Sequence, residues 1–142
     1  MMSVMRSPAE LVDTFRVNGL KVTPQRRLLF ELLDGNCSHP TADELFTAAS
    51  SRMPGISLRT VYQTLADLGA MGEIRQLSIG SGPTRFDPNV TDHHHVVCDG
   101  CGAVTDVYVD GAQLLTICGA PGFRTDTLSI VFHGTCASCA GT

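Results

Sequence analysis

The sequence predicts an α+β fold in two parts: helices closed by a short β-hairpin over residues 1–85, then a small α/β segment over residues 86–142. Three observations carry this. Helix-start signatures followed by apolar residues at helical spacing recur through the first part. A glycine- and proline-containing turn between two strand-like runs closes it. Beyond the turn, two Cys-x-x-Cys motifs bracket short, strand-like runs.

Ser7-Pro8-Ala9-Glu10 reads as a capping box with proline in the first turn, opening a helix to about Asn18-Gly19 with Leu11, Val12 and Phe15 on one side. Thr23-Pro24 opens a second helix, whose Leu28, Leu29, Leu32 and Leu33 form a buried stripe. Thr41 with Glu44 is another capping box, and Leu45, Phe46 and Ala49 give that helix its apolar face. Ser57 caps a fourth helix, with Leu58, Val61, Leu65 and Leu68 on the 3.6-residue period. Strands are expected over 73–79 and 84–86, joined by the turn Gly80-Ser81-Gly82-Pro83. Helices followed by such a hairpin make a winged helix, with the helix-turn-helix over residues 24–68. The second part is expected to hold strands near 93–98, 103–109 and 127–133 and a short helix near 110–118. A domain this small rarely buries enough apolar surface alone and needs a metal, a disulfide or a partner.

The two parts differ in charge. Residues 1–85 carry nine basic and eight acidic residues, whereas residues 86–142 carry Arg124 against six acids. A near-neutral first part can still present basic residues on one face. The acidic second part, with four of the five histidines, can hold cations. No apolar run approaches the roughly 20 residues of a membrane helix, and the start lacks the hydrophobic core of a signal peptide. The protein is expected in the cytoplasm, with no membrane partner.

In a reducing compartment the six cysteines are not read as a disulfide framework. Cys98-x-x-Cys101 and Cys136-x-x-Cys139 form two knuckles, a spacing that lets both thiolates of each face one ion. Gly100 and Gly102 allow the tight turn of the first. Four thiolates close a tetrahedron around zinc and leave no open position, so the site is structural and contributes folding energy. The competing possibilities are unliganded cysteines or thioredoxin-like redox pairs, which normally start a helix after a strand. Cys37 and Cys118 are left over and read as small buried hydrophobes.

Asp92-His93-His94-His95 precedes the first knuckle. On a strand His93 and His95 point to one face and His94 to the other, so two imidazoles can share an ion. Carboxylates must complete a site for iron or manganese, which favour mixed nitrogen and oxygen ligands. The candidates are Asp87, Asp106 and, from between two helices, His39. A solvated strand is the plain alternative. His133 reads as structural or surface, and the role of His94 stays open.

On the helix after Ser57, Arg59, Thr60 and Gln63 lie opposite the leucine stripe, with Tyr62 at its edge. Arginine can pair with guanine in the major groove and a tyrosine ring can contact thymine methyls. Lys21, Arg26 and Arg27 could hold phosphates, and Arg75 and Arg85 lie near the wing. An ordinary solvated helix face would look the same; the order of helices and wing favours nucleic acid.

At these residues the chain resembles the ferric uptake regulator (Fur) superfamily over nearly its whole length. The matching segments run Gly19-Leu20-Lys21-Val22-Thr23-Pro24-Gln25-Arg26, His39-Pro40-Thr41-Ala42-Asp43-Glu44-Leu45, Ser57-Leu58-Arg59-Thr60-Val61-Tyr62-Gln63-Thr64-Leu65, His93-His94-His95-Val96-Val97-Cys98-Asp99-Gly100-Cys101-Gly102, and the final cysteine pair. The resemblance implies a homodimeric repressor that binds an AT-rich palindromic operator when a sensor metal is bound. Within the superfamily the chain is most similar to the peroxide-sensing (PerR-type) branch. That branch's three histidines and two aspartates fall here on His39, Asp87, His93, His95 and Asp106. The iron-uptake branch usually has glutamate where Asp87 stands, zinc sensors a cysteine or other soft ligand, and nickel sensors more histidines. The branch implies Fe2+ or Mn2+ as regulatory ion. With iron, peroxide would lead to oxidation of a ligand histidine, here His39 or His93, and release from DNA; with manganese it would not. Residues 110–120, with Gly111, Gly119 and Ala120, depart from the family as a shorter, glycine-rich stretch. They lack the glutamate and histidine of an extra metal site found in some relatives.

Two other functions remain to be weighed. The same architecture could report iron or manganese availability. A zinc hydrolase or deaminase would need an open metal site with a placed glutamate, and the sequence contains no HExxH or HxE motif. The expectation is a regulator with no enzymatic turnover.

Overall fold

The computed structural model describes residues 4–78, 82–90 and 93–141. It divides into two compact units, Met1–Thr91 and Asp92–Thr142. No helix among the described residues is long and apolar enough to cross a membrane.

The first unit is a winged helix. Helix α1 spans Pro8–Val17, α2 Pro24–Leu33, α3 Ala42–Arg52 and α4 Leu58–Ala70. Each starts at a side chain that accepts a backbone N–H three residues on: Ser7, Thr23, Thr41 and Ser57. These contacts satisfy donors that the first helical turn leaves open. The Ser7–Glu10 box is reciprocal. At Thr41 the box expected with Glu44 is half made: Thr41 accepts from the Glu44 N–H, while the Glu44 carboxylate lies 3.8 Å from Arg85.

The four helices bury one apolar core. Leu11 and Phe15 of α1 meet Leu28, Leu29, Phe30 and Leu33 of α2, Leu45 and Ala49 of α3, and Val61, Leu65 and Leu68 of α4. Phe15 and Phe30 pack edge to face with centroids 4.8 Å apart, a favoured aromatic geometry. Leu32 and Phe46 are half-buried at the margin. The stripe expected on α4 shifts by one position. Leu58, in the first turn, is exposed, and Thr64 is buried instead because its hydroxyl donates to the Thr60 carbonyl at 2.8 Å.

The wing is an antiparallel pair, β1 (Arg75–Leu77) with β2 (Arg85–Asp87), in the register Arg75↔Asp87. Strand β1 starts two residues later than the expected 73 and ends at Leu77, residue 79 lying outside the described residues, and β2 is displaced by one residue from the expected 84–86. The turn placed at Gly80–Pro83 lies partly outside the described residues. The division after Thr91 keeps β2, and with it Asp87, in the first unit.

The second unit carries a three-stranded sheet in the order β4-β3-β5, with β3 at His94–Cys98, β4 at Val104–Val107 and β5 at Val131–Gly134. Strand β3 pairs antiparallel with β4 and parallel with β5. A single helical turn, α5 (Ala137–Ala140), ends the described chain. The helix expected near 110–118 shrinks to one 3-10 turn, Ala112–Leu114. It begins at Gly111 in the left-handed region (φ 80°) without a side-chain cap, and Thr116, Ile117, Gly119 and Pro121 disfavour its continuation. The strand expected from residue 127 starts at Val131.

This unit has almost no apolar core. Cys98 is its single buried apolar side chain among the described residues; His93, His94 and His95 are the other buried ones. Leu114, Leu115, Ile117, Phe123 and Phe132 are exposed. Cys118 and, in the first unit's α2–α3 loop, Cys37 are also exposed, against the expectation that both are buried. Cys118 lies in a stretch without regular structure, and Cys37 in a loop where its thiol turns back 3.5 Å to the Gly35 carbonyl.

Candidate metal centres and nucleic-acid face

Local backbone geometry brings the four knuckle cysteines together. Cys98 ends β3, and the chain turns tightly so that the Gly102 N–H donates to the Cys98 carbonyl at 2.8 Å with Gly102 at φ 76°. Parallel pairing sets Cys98 against Gly134, which carries Cys136 alongside. Cys136 caps α5, its sulfur accepting the Cys139 N–H at 3.4 Å. The second knuckle thus does start a helical turn after a strand, as a redox pair would. Its surroundings differ: all four Sγ atoms lie within 4.8 Å of one another. The Cys101 and Cys136 sulfurs are 3.9 Å apart, far beyond a disulfide bond of about 2.05 Å. The value is close to the edge, about 3.8 Å, of a tetrahedron with bonds of about 2.3 Å.

The thiols are electrostatically divided. The Cys136 N–H, 3.3 Å from Cys98 Sγ, and the N–H groups of Cys101 and Gly100 draw the Cys98 thiol down to about 6. The sulfurs of Cys136, Cys98 and Cys101 push Cys139 up to about 12. Four thiolates can occupy this space together only around a cation. A Cβ at Gly100 would stand 3.1 Å from the Cys139 sulfur, so glycine leaves the room the cluster needs. The donor set and spacing fit a tetrahedral, thiolate-seeking divalent ion.

The histidines and aspartates form two groups, one in each unit. In the first unit, His39 sits in the α2–α3 loop with φ 55°, a rare conformation for a side-chain-bearing residue before proline. The wing holds it there. The Phe86 N–H donates to the Pro40 carbonyl at 2.9 Å, and the Arg85 guanidinium donates to the His39 carbonyl at 3.0 Å. The His39 Nε2 consequently faces Asp87 Oδ2 at 3.4 Å, both residues 1% exposed. The other Asp87 oxygen accepts the Asn89 N–H at 2.9 Å.

In the second unit, β3–β4 pairing sets His95 opposite Asp106. Two residues earlier, His93 reaches the same carboxylate, so one oxygen, Oδ1, lies 3.2 Å from Nε2 of both. The two rings are 4.7 Å apart. His94 has a different job: its Nδ1 accepts the Ile130 N–H at 3.0 Å and fixes the approach to β5. His133 makes a surface contact with Asp99 at 3.3 Å. Each group combines imidazole nitrogen with carboxylate oxygen, the donor mixture suited to iron or manganese.

On α4, Arg59, Tyr62 and Gln63 are exposed, while the Thr60 hydroxyl lies 2.9 Å from that of Ser57. Lys21 is exposed nearby. Arg26 is engaged inside the unit. Its guanidinium donates to Asp67 at 2.9 Å and to the Lys21 carbonyl at 3.1 Å, and lies 5.3 Å over the Phe15 ring. The sequence reading missed two contributors here. Arg85 was placed merely near the wing, and Asp67 carried no local signal; both act through contacts distant in sequence.

The sequence model of the ferric uptake regulator family matches residues 17–133. The chain belongs to the ferric uptake regulator family. It is 31% identical over 133 residues to the peroxide operon regulator of Bacillus subtilis, covering 92% of each chain. It is 36% identical over 99 residues to the peroxide-responsive repressor PerR of Staphylococcus epidermidis, covering 70% of this chain and 66% of that protein. The solved Helicobacter pylori ferric uptake regulator superposes with a TM-score of 0.77 at 16% identity, over 98% of this chain and 97% of that one, a likeness of fold. Fur-family proteins are dimeric DNA-binding regulators, and this member is a metal-responsive transcription regulator rather than an enzyme.

Proposed function

We propose that the chain is a homodimeric, peroxide-responsive repressor that binds an AT-rich palindromic operator in the cytoplasm. One observation carries the reading most: three buried imidazoles each face a carboxylate, His39 the buried Asp87, and His93 and His95 the half-buried Asp106. We assign all five to a single regulatory site for Fe2+ or Mn2+. Cys98, Cys101, Cys136 and Cys139 are assigned to structural zinc. The exposed apolar side chains of the second unit are assigned to the dimer interface.

In this reading residues 1–85 read DNA and residues 86–142 sense and dimerise. Arg59, Tyr62, Gln63 and Thr60 face the bases, and Lys21 a phosphate. Arg26 supports that surface from behind by holding α2 to α4. Iron, when bound, supplies the one-electron reduction of peroxide. The protein's part is to hold His39 and His93 as the histidines within reach of the oxidant, and to keep bulk water away by burial. Oxidation of either side chain removes a nitrogen ligand, and the affinity of the site for its ion falls. Coupling to DNA follows because the ion stabilises one dimer shape over others.

The test uses duplexes selected from a random pool by the manganese-loaded protein. Iron- and manganese-loaded protein are then assayed on them before and after dilute peroxide, with peptide mass analysis. Loss of binding in the iron form alone, with one oxygen added to the His39 or His93 peptide, supports the proposal. Binding that ignores peroxide in both forms sinks peroxide sensing and leaves a repressor responding to iron or manganese availability.

A further inference from the structure

The chain before α1 is tied into the wing. The Met5 N–H donates to the Pro88 carbonyl at 2.8 Å, and Val4 forms an antiparallel bridge with Asn89. The Met5 side chain is 5% exposed and belongs to the core. Arg6 is fastened next to it. Its backbone N–H donates to Glu73 Oε2 at 3.0 Å, and its guanidinium pairs with Glu73 Oε1, also at 3.0 Å. Glu73 is itself buried, just ahead of β1.

These contacts converge on Asp87. That residue ends β2, paired with Arg75 on one side. The two residues after it, Pro88 and Asn89, are the ones the arm grips. Asn89 then donates its N–H to Asp87 Oδ1, leaving Oδ2 turned to His39. A carboxylate on an unrestrained strand end would sample many χ1 and χ2 settings. Here the backbone on both sides is pinned, and one oxygen is committed.

We propose that the arm Val4–Arg6, anchored on Glu73, positions Asp87 for metal binding, with Arg6 and Glu73 as positioning residues that touch no ion. This rests on Asp87 being a ligand of the regulatory site. Groups that orient a ligand commonly set metal affinity by about 10–100-fold. Arg6 and Glu73 act one contact further out, so their effect is smaller, about three- to tenfold.

The experiment uses the full chain with its zinc and compares wild type with Arg6→Ala, Arg6→Lys, Glu73→Ala and the double alanine variant. Two quantities are read. Amide hydrogen exchange at Met5 and Asn89, measured by NMR without manganese, reports the grip. Mn2+ affinity by calorimetry reports its effect on the site. Expected are faster exchange at both amides and weaker Mn2+ binding in Arg6→Ala, a larger effect in Glu73→Ala, no further loss in the double variant, and recovery in Arg6→Lys. Zinc content stays constant. Arg6 is half-exposed, so its variants fold even if Glu73→Ala does not. Unchanged exchange in folded variants, or faster exchange with unchanged Mn2+ affinity, overturns the proposal. A wild type that binds no Mn2+ sinks the ligand assignment of Asp87 instead, and the exchange data still judge the grip on Asn89.

Discussion

Asp106 faces His95 across the β3–β4 pair, its Oδ1 3.2 Å from the histidine Nε2, and the same oxygen lies equally close to His93. One carboxylate oxygen is thus shared by two imidazoles. Strand register, and not sequence proximity, produces the arrangement. Asp106→Ala should therefore leave zinc content and the β3–β4 hairpin intact while weakening Mn2+ binding by at least about tenfold, as loss of a ligand or its orienting partner does. Calorimetric titration with Mn2+ checks it. Unchanged affinity would return the cluster to a structural hydrogen-bond network.

Asp87→Glu tests the feature that separates the peroxide-sensing branch from its iron-uptake relatives. The site is tight: Asp87 is 1% exposed, with one oxygen on Asn89 and the other toward His39. An added methylene must push the carboxylate outward or strain the pocket, at a cost of about 1–3 kcal/mol. The expected outcome is a variant that still binds Mn2+ and DNA, whose iron form oxidises His39 and His93 more slowly. Peptide mass spectrometry after peroxide measures this. Wild-type rates of oxidation would remove Asp87 as a determinant of sensitivity.

How much of this was legible beforehand differs by level. The helix starts at Ser7, Thr23, Thr41 and Ser57 were readable because a cap needs just three residues of context. The knuckles were readable for the same reason. Strand alternation pairs His93 with His95 and leaves Asp87, Asp106 and His39 as candidates; the proposal that all five form one site comes from family resemblance, since nothing in spacing places a loop histidine beside a wing aspartate. Burial was read least well. Thr64 is inside because a hydroxyl can satisfy itself on its own helix, and Cys37 and Cys118 are outside because their segments form no packed element. The helix near 110–118 failed on apolar spacing without a cap.

Removing the zinc proposed for the four cysteines should have a localised effect. With Cys98 as the lone buried apolar side chain among its described residues, the second unit has little besides its sheet and the four thiolates to hold it. The first unit keeps a full core from Met5 to Phe86. Cys98→Ser, or a strong chelator, should unfold the second unit and abolish dimer while most helical circular dichroism survives. Sedimentation and thermal melts read both quantities. Cooperative loss of the helices together with the zinc would contradict this division of stability.

Arg26 and Arg59 provide the sharpest contrast, because the sequence alone offers both as DNA contacts. Arg59 is exposed on α4, whereas Arg26 is 14% exposed and held by Asp67, itself 17% exposed. Hydrogen bonds to charged groups contribute about 1.5–3 kcal/mol when shielded. Arg26→Ala should therefore lower the melting temperature of the first unit, and Asp67→Ala should do the same by leaving the guanidinium without its carboxylate. Combining the two should cost less than the sum. Arg59→Ala should leave the melt unchanged and weaken binding to a selected operator, with about 1–3 kcal/mol of base discrimination lost if it pairs with guanine. Melting curves and operator titrations on the same protein preparations separate the roles. If Arg59→Ala destabilises the fold and Arg26→Ala does not, the assignment of support and contact is inverted.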